Sequence, residues 1–338
     1  MKRLLIVGAD GPNALERYYQ RAFARQGVEA TVFDPEAGLG LLRSGRIINR
    51  LSWYAQPIVV ASALRAYLAR DSNWDAILLF KGLHVPASAI RACRKLTPHA
   101  SWANLNPDSP FDRGRSTSSA HIRAAITLFD AYFIWSHELV EQLRRAGATR
   151  PTYLPFGFDP DSHFPVAALD PALAGMITFV GSYDAQRAAV LESIADQPLL
   201  IYGNAWDRLP RHSKLRSKVV SPAIYGAPLR SVVSSSLATI NILRPQNRGS
   251  HNMRTFEVPA MGGLMLSSRS REQNDFFPEG EACLMYSGPD ELRAHVVELS
   301  AGRIERHSIM HRARELAQAH AYDARARTIL ASLALVEV

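Results

Sequence analysis

The chain has 338 residues, 47% of them hydrophobic and 21% charged, with a formal net charge of +8. That length exceeds one ordinary hydrophobic core and predicts two domains; the two cysteines, Cys93 and Cys283, lie in different halves without CxxC or CxxH context and exclude a disulfide framework. Arg far outnumbers Lys, and the basic residues are spread out with no lysine-rich tail or aromatic-interleaved stripe, which argues against nucleic acid and for bidentate binding of phosphate or carboxylate.

The amino terminus, MKRLLIVGADGPN, has an apolar core only from Leu4 to Val7 and reads as a first strand, not a signal peptide. No apolar run approaches a membrane span. A cytoplasmic protein with reduced, buried thiols and at most peripheral membrane contact is expected.

The first half alternates strands and helices. Strands are predicted at Arg3 to Gly8, Glu29 to Phe33, Asp75 to Phe80, Ser101 to Asn106, Ala131 to Trp135 and Thr152 to Leu154. Between them, helical patterns start at Asn13, with Gly27 as a stop, and cover Ala61 to Ala69, Pro86 to Lys95, His121 to Thr127 and Glu138 to Ala146; Leu39 to Leu51 has no clear pattern. Alternation at this spacing predicts a parallel sheet covered by helices on both faces.

A Pro-rich linker from Pro155 to Pro171 interrupts the pattern. A second alternation follows, with strands at Met176 to Gly181, Leu199 to Gly203, Val219 to Ser221, Leu237 to Leu243, Leu264 to Leu266 and Ala282 to Tyr286. Its helices are predicted at Asp184 to Ala195, Pro228 to Ser236, Met253 to Met261, Pro289 to Ala301 and Arg303 to Ala319, with a last one at Ala324 to Leu335. The expected domains are 1–165, 172–320 and a C-terminal segment, 321–338, crossing back to the first. Two doubly wound halves would face each other across a cleft.

The stretch RPQNRGSHNMRTFEVPAMGGLMLSS, Arg244 to Ser268, organises the second half as strand, loop, helix, Gly turn and strand. Such a loop at the carboxyl end of a parallel strand is where open α/β sheets bind phosphate-bearing ligands. Arg244, Arg248, His251, Asn252 and Arg254 offer donors for phosphate, and Glu257, one turn on, offers an acceptor pair for sugar hydroxyls. After the first strand of this half, Gly181 lets backbone approach a ligand and Arg187 stands near a helix start.

Other features carry less. Gly8-Ala-Asp-Gly11 lacks the GxGxxG of a dinucleotide turn. Asp159-Pro-Asp161 matches DxD only superficially and reads as a turn. His307 and His311 are spaced to share a metal, but with no third ligand they read as a solvated face. In the first half His84, Asp108 and His121 lie at or just beyond strand ends, and Asp108 and His84 are the candidates for activating an acceptor hydroxyl.

The order of LPFGFDPDSHFP, FVGSYDAQR, IYGNAWD, INILRPQNRGSHNMRTFEVPAMGGLMLSS, FFPEGEACLMYSGPDELRAHV and HAYDARARTIL resembles the group 1 glycosyltransferases of the GT-B fold. Within them it is most similar to the branch typified by CgeB-like spore maturation proteins. The resemblance covers Tyr153 to Leu330. It implies two Rossmann-like domains and transfer of a sugar from a nucleoside-diphosphate sugar, UDP-sugar foremost, to an acceptor held mainly by the first domain, whether glycan, lipid-linked, protein or small molecule. No cofactor and no metal are implied. Glu257 falls on the position that binds the donor ribose; Gly181, Ser182, Arg187, Asn204, Arg244, His251, Asn252 and Arg254 fall at or near the donor site, Arg187 with a catalytic part in stabilising the leaving diphosphate.

One position departs from the family. Group 1 enzymes often carry a second glutamate eight positions before the first, and here Gly249 stands there. The wider group implies retention of configuration. Two alternatives stay open on sequence: a GT-B nucleotide-sugar epimerase, and a non-catalytic nucleotide- or glycan-binding scaffold.

Overall fold

A computed structural model describes residues 1–42, 48–114 and 116–335. The chain divides into two compact units, one comprising Met1–Pro155 with the segment from Tyr322 onward, the other Phe156–Ala321.

The first unit is built on a six-stranded sheet in the order β2-β1-β3-β4-β5-β6. These are β1 (Arg3–Val7), β2 (Glu29–Phe33), β3 (Ala76–Phe80), β4 (Ser101–Asn106), β5 (Ala131–Ile134) and β6 (Pro151–Tyr153). Every pairing is parallel. Parallel strands are covered on both faces, so they demand contiguous apolar runs; Ala76-Ile-Leu-Leu-Phe80 is buried throughout. The helices are α1 (Leu15–Arg25), α2 (Ile48–Arg70), α3 (Ala87–Leu96), α4 (Ala120–Ala125) and α5 (His137–Arg145). Helix α2 is much longer than the expected Ala61 to Ala69 and includes Pro57, and part of the unclear Leu39 to Leu51 stretch lies outside the described residues.

The second unit repeats the design with β7 (Ile177–Val180), β8 (Leu199–Tyr202), β9 (Val219–Ser221), β10 (Ala238–Asn241), β11 (Met265–Ser268) and β12 (Leu284–Tyr286), in the order β12-β11-β10-β7-β8-β9. It too is parallel throughout. Its helices are α6 (Ala185–Glu192), α7 (Gly226–Ser235), α8 (Arg254–Ala260), α9 (Arg271–Phe276), α10 (Pro289–Ser300) and α11 (Arg306–Ala317). Ile177, Phe179, Leu191, Ile201, Trp206 and Ile240 are among the side chains that fill its core. Helix α9 is absent from the sequence expectation although Ser270 announces it: its Oγ accepts from the Gln273 N–H at 3.0 Å, the cap half of a Ser-x-x-Gln box.

Helix α12 (Tyr322–Ser332) returns to the first unit. The Tyr322 ring lies 4.9 Å from that of Tyr19 on α1, Asp323 pairs with Arg25 at 2.6 Å, and the Arg325 Nε donates to the Pro155 carbonyl at 3.0 Å. Residues 156–165, expected from sequence in the first domain, pack in the second unit, where the Phe156 N–H donates to His251 Nε2 at 3.1 Å. Cys93 and Cys283 are both buried and without a disulfide, and burial pushes the Cys93 thiol up to about 11. Among the described residues no helix is long and apolar enough to cross a membrane.

Candidate functional site

In the second sheet the strand order reverses between β7 and β10, the switch point at whose carboxyl edge doubly wound sheets bind ligands. The loop after β7 begins at Gly181, and the Gly203 backbone passes so close that a Cβ on Gly203 would collide with the Gly181 carbonyl. That carbonyl accepts from the Trp206 indole at 2.9 Å, and the Tyr183 N–H donates to the Asn204 carbonyl at 2.8 Å. The loops after β7 and β8 are therefore one braced unit. Asp184 caps α6, accepting from the Gln186 N–H at 2.9 Å and the Arg187 N–H at 3.4 Å.

Arginines meet across this edge. From α6, Arg187 donates Nη1 to the Ser182 carbonyl at 3.2 Å and Nη2 to the Ile242 carbonyl at 3.3 Å, so it bridges the ends of β7 and β10. From the start of α8, Arg254 reaches back with Nε to the Val180 carbonyl at 3.4 Å. Burial, and then the charges of Arg244 and Arg254, push the Arg187 guanidinium down to about 10. The edge thus carries surplus positive charge, the setting in which a diphosphate is bound most strongly.

Glu257 is the acidic member. It is 3% exposed, pairs with Arg254 one turn before it, and faces His163 Nε2 at 3.6 Å. The His163 Nδ1 accepts from the Asp159 N–H at 3.1 Å, which places the ring proton on Nε2, the nitrogen toward the carboxylate. Burial, the larger effect, lowers the His163 pKa from its ordinary 6.5 against the upward pull of Glu257. His163 is a site neighbour that sequence reasoning missed, in a segment read only as linker and turn. The turn itself is present: the Asp159 carbonyl accepts from the Ser162 and His163 N–H groups at 3.0 and 2.8 Å.

Two expected donors point elsewhere. The His251 ring is fully buried, edge-on to Phe156, Phe256 and Phe276 at 5.1 to 5.7 Å. Its Nε2 accepts from Phe156 and its Nδ1 donates to Glu272 Oε2 at 2.9 Å, so both ring nitrogens are committed to the scaffold. Asn252 donates to Asn241 Oδ1 at 2.8 Å and accepts from the Thr255 N–H at 3.2 Å, fixing the entry to α8. The Asn204 side chain, on the exposed β8 loop, accepts from the Ala223 N–H at 3.2 Å. Gly249, where the family often has glutamate, has φ +81, a left-handed conformation that a glutamate would adopt only under strain. The carboxylate held against this loop is Glu272, bonded by the Ser250 hydroxyl at 2.6 Å.

In the first unit, Asp108 is paired with Lys81 at 2.7 Å. A lysine ammonium already holds that carboxylate, which disfavours Asp108 as a general base. His84 is buried, with Nδ1 2.9 Å from Glu36 Oε1, and it lines a cavity of about 850 Å³ whose wall also includes His121, Phe111 and Arg123. His307 and His311 are exposed on α11 beside Glu305 and Glu315. Among the described residues no group of three or more His, Cys, Asp or Glu side chains is placed to hold a metal ion.

Residues 158–331 match the model of a family described as glycosyl transferase-like. No curated protein matches the chain. Among solved structures it is similar to sucrose-phosphate synthase from Thermosynechococcus elongatus, with 14% identity over 97% of both chains and a TM-score of 0.68. It is also similar to Anabaena HepE in complex with UDP-glucose, with 12% identity over 99% of this chain and 100% of that one and a TM-score of 0.69. A third likeness is the lipopolysaccharide outer core galactosyltransferase WaaB, with 14% identity over 99% of both chains and a TM-score of 0.61. At these identities the likeness establishes the fold, GT-B.

Proposed function

The chain belongs to the glycosyl transferase-like family, and we propose that it transfers a sugar from a UDP-sugar to an acceptor hydroxyl with retention of configuration and without a bound metal. The observation that carries this reading is the convergence of Arg187, Arg244 and Arg254 at the β7/β10 switch point, with Glu257 one helical turn from Arg254. Three guanidinium groups suit a diphosphate and a buried carboxylate suits the two hydroxyls of a ribose. The structure of HepE, a protein of the same fold, was determined with UDP-glucose bound, which supports UDP as the carrier. The motif order from LPFGFDPDSHFP to HAYDARARTIL supports the CgeB-like branch.

In the reaction the bond between the sugar anomeric carbon and the β-phosphate oxygen breaks, and a bond from that carbon to the acceptor oxygen forms. UDP leaves with the bonding pair, and its β-phosphate oxygen takes up the proton that the acceptor hydroxyl loses. Charge grows on the departing phosphate, and fixed guanidinium groups stabilise it without reorganising; one such donor is worth ~3 to 4 kcal/mol. Arg187 has the catalytic part. Its hold on the Ser182 and Ile242 carbonyls fixes the guanidinium before the donor arrives.

The test is release of UDP from a panel of UDP-sugars, followed by NMR of the product's anomeric proton. UDP release that depends on Arg187 supports the reading. A sugar epimer formed from the donor alone, with no UDP released, would replace transferase by epimerase.

A further inference from the structure

We infer that the cavity of about 850 Å³ in the first unit holds a phosphate-bearing acceptor, with its phosphate between Arg113 and Arg123 and its carbon skeleton against Phe111 and Leu83. This rests on the transferase reading, for which it names the acceptor class. The volume lies in the range of small-molecule sites, and the two kinds of wall differ in chemistry.

The basic wall carries Arg113, Arg123, His84 and His121. Its only acidic lining residue among the described residues, Asp112, is already satisfied: Oδ2 accepts from the Thr117 hydroxyl at 2.6 Å and Oδ1 from the Arg113 backbone N–H at 2.7 Å, and these contacts hold its carboxyl below the usual range. Asp112 is therefore not the counter-ion of either guanidinium. Arg123 donates Nη1 to the Ser118 hydroxyl at 3.1 Å, which orients it and leaves most of its five N–H donors for other use. The Arg113 guanidinium makes no hydrogen bond or ion pair with another described residue. Glu36 fixes the His84 ring through Nδ1. Burial, and then the neighbouring His84, lower the His121 pKa, so this imidazole contributes as a neutral N–H donor. Two arginines, with two imidazoles beside them and with the carboxylates of Asp112 and Glu36 engaged by Thr117 and His84, form a site for a phosphate. The Phe111 ring and Leu83 supply the apolar face on which a sugar ring or lipid chain would lie.

The phosphate can belong to a soluble sugar phosphate or to a lipid phosphate, and the experiment separates them. Calorimetric titrations of the full chain, with UDP present, use hexose 6-phosphates, the corresponding hexoses and vesicles containing phosphatidic acid. Each is repeated on Arg113→Ala/Arg123→Ala. Both arginines are on the exposed surface, so the variant is expected to fold and to bind UDP unchanged. Binding of the hexose 6-phosphate but not the hexose, weakened roughly tenfold or more in the variant, supports the inference with a soluble acceptor. The same arginine dependence on vesicles alone supports it with a lipid one. Equal binding of hexose and hexose 6-phosphate, undiminished phosphate binding by the variant, or no binding of any phosphate probe overturns it. UDP binding is read separately, so failure of the donor site and failure of the phosphate site give different results.

Discussion

His163 Nε2 stands 3.6 Å from Glu257 Oε1, with both side chains almost fully buried. The imidazole is fixed from behind by the Asp159 N–H, and the carboxylate is held on its other side by Arg254. In the proposed reading this carboxylate meets the two ribose hydroxyls of the donor, and its orientation before any ligand arrives lowers the ordering cost of binding.

His163→Phe keeps a planar aromatic ring and removes both nitrogens. It is expected to raise the donor KM several-fold while leaving kcat close to wild type, because the carboxylate it orients binds ground state and transition state alike. Loss of the bond from the Asp159 N–H should cost about 1 kcal/mol of stability. His163→Gln, which can still offer an N–H to Glu257, should recover part of the KM. Steady-state kinetics on the three proteins decide, and an unchanged KM in His163→Phe would remove His163 from the site.

Acid should act through the same ring. Because burial holds the folded-state pKa of His163 below its ordinary 6.5, the unfolded chain binds a proton that the native state refuses. The neutral ring's contribution is complete above about pH 6.5 and is lost as the pH falls toward the lowered folded value. Urea unfolding from pH 7.5 to 5 should show a steeper loss in wild type than in His163→Phe. Parallel curves would mean that other groups, His121 among them, dominate.

Arg187→Ala is expected to lower kcat by about a hundredfold or more, ~3 kcal/mol, since the lost donor faces charge that develops as UDP leaves. Arg187→Lys should recover only part, because an ammonium cannot span the Ser182 and Ile242 carbonyls and the ligand together. Rapid-quench measurement of the chemical step is the check, and a wild-type rate in the alanine variant would take Arg187 out of the catalytic account.

Gly203→Ala would drive a methyl group into the Gly181 carbonyl. The Gly181 carbonyl is backbone and cannot rotate away as a side chain could, so relief requires the β7 and β8 loops to part. A loss of about 1–3 kcal/mol in stability together with weaker UDP binding is expected, by denaturant titration and calorimetry. Normal stability would show that the two loops separate readily.

The parallel sheets were legible in the sequence because strands buried on both faces are contiguous apolar runs, as at Leu4–Val7 and Ala76–Phe80. The strand-loop-helix setting of Arg187, Arg254 and Glu257 was legible from the same pattern. What sequence could not fix is direction. His251 sits in a donor-rich loop, yet Phe156 and Phe276 from other segments, with Phe256 on the helix that follows, turn its ring into the core. Asp108 lies at a strand end, yet Lys81 on the adjacent strand's end takes its carboxylate. His163 shows the converse: only the fold brings a linker residue against Glu257.

The most direct test of the donor site is thermal unfolding with UDP, GDP, dTDP, ADP and CMP, on wild type and on Glu257→Gln, an isosteric change that removes the charge. A nucleotide at a hundredfold excess over its Kd adds ~2.7 kcal/mol to the folded form. Stabilisation of the wild type by UDP alone, largely lost in Glu257→Gln, is the predicted result. No stabilisation of the folded wild type by any of the five, or an equal UDP shift in both proteins, would contradict a UDP-sugar site at Glu257.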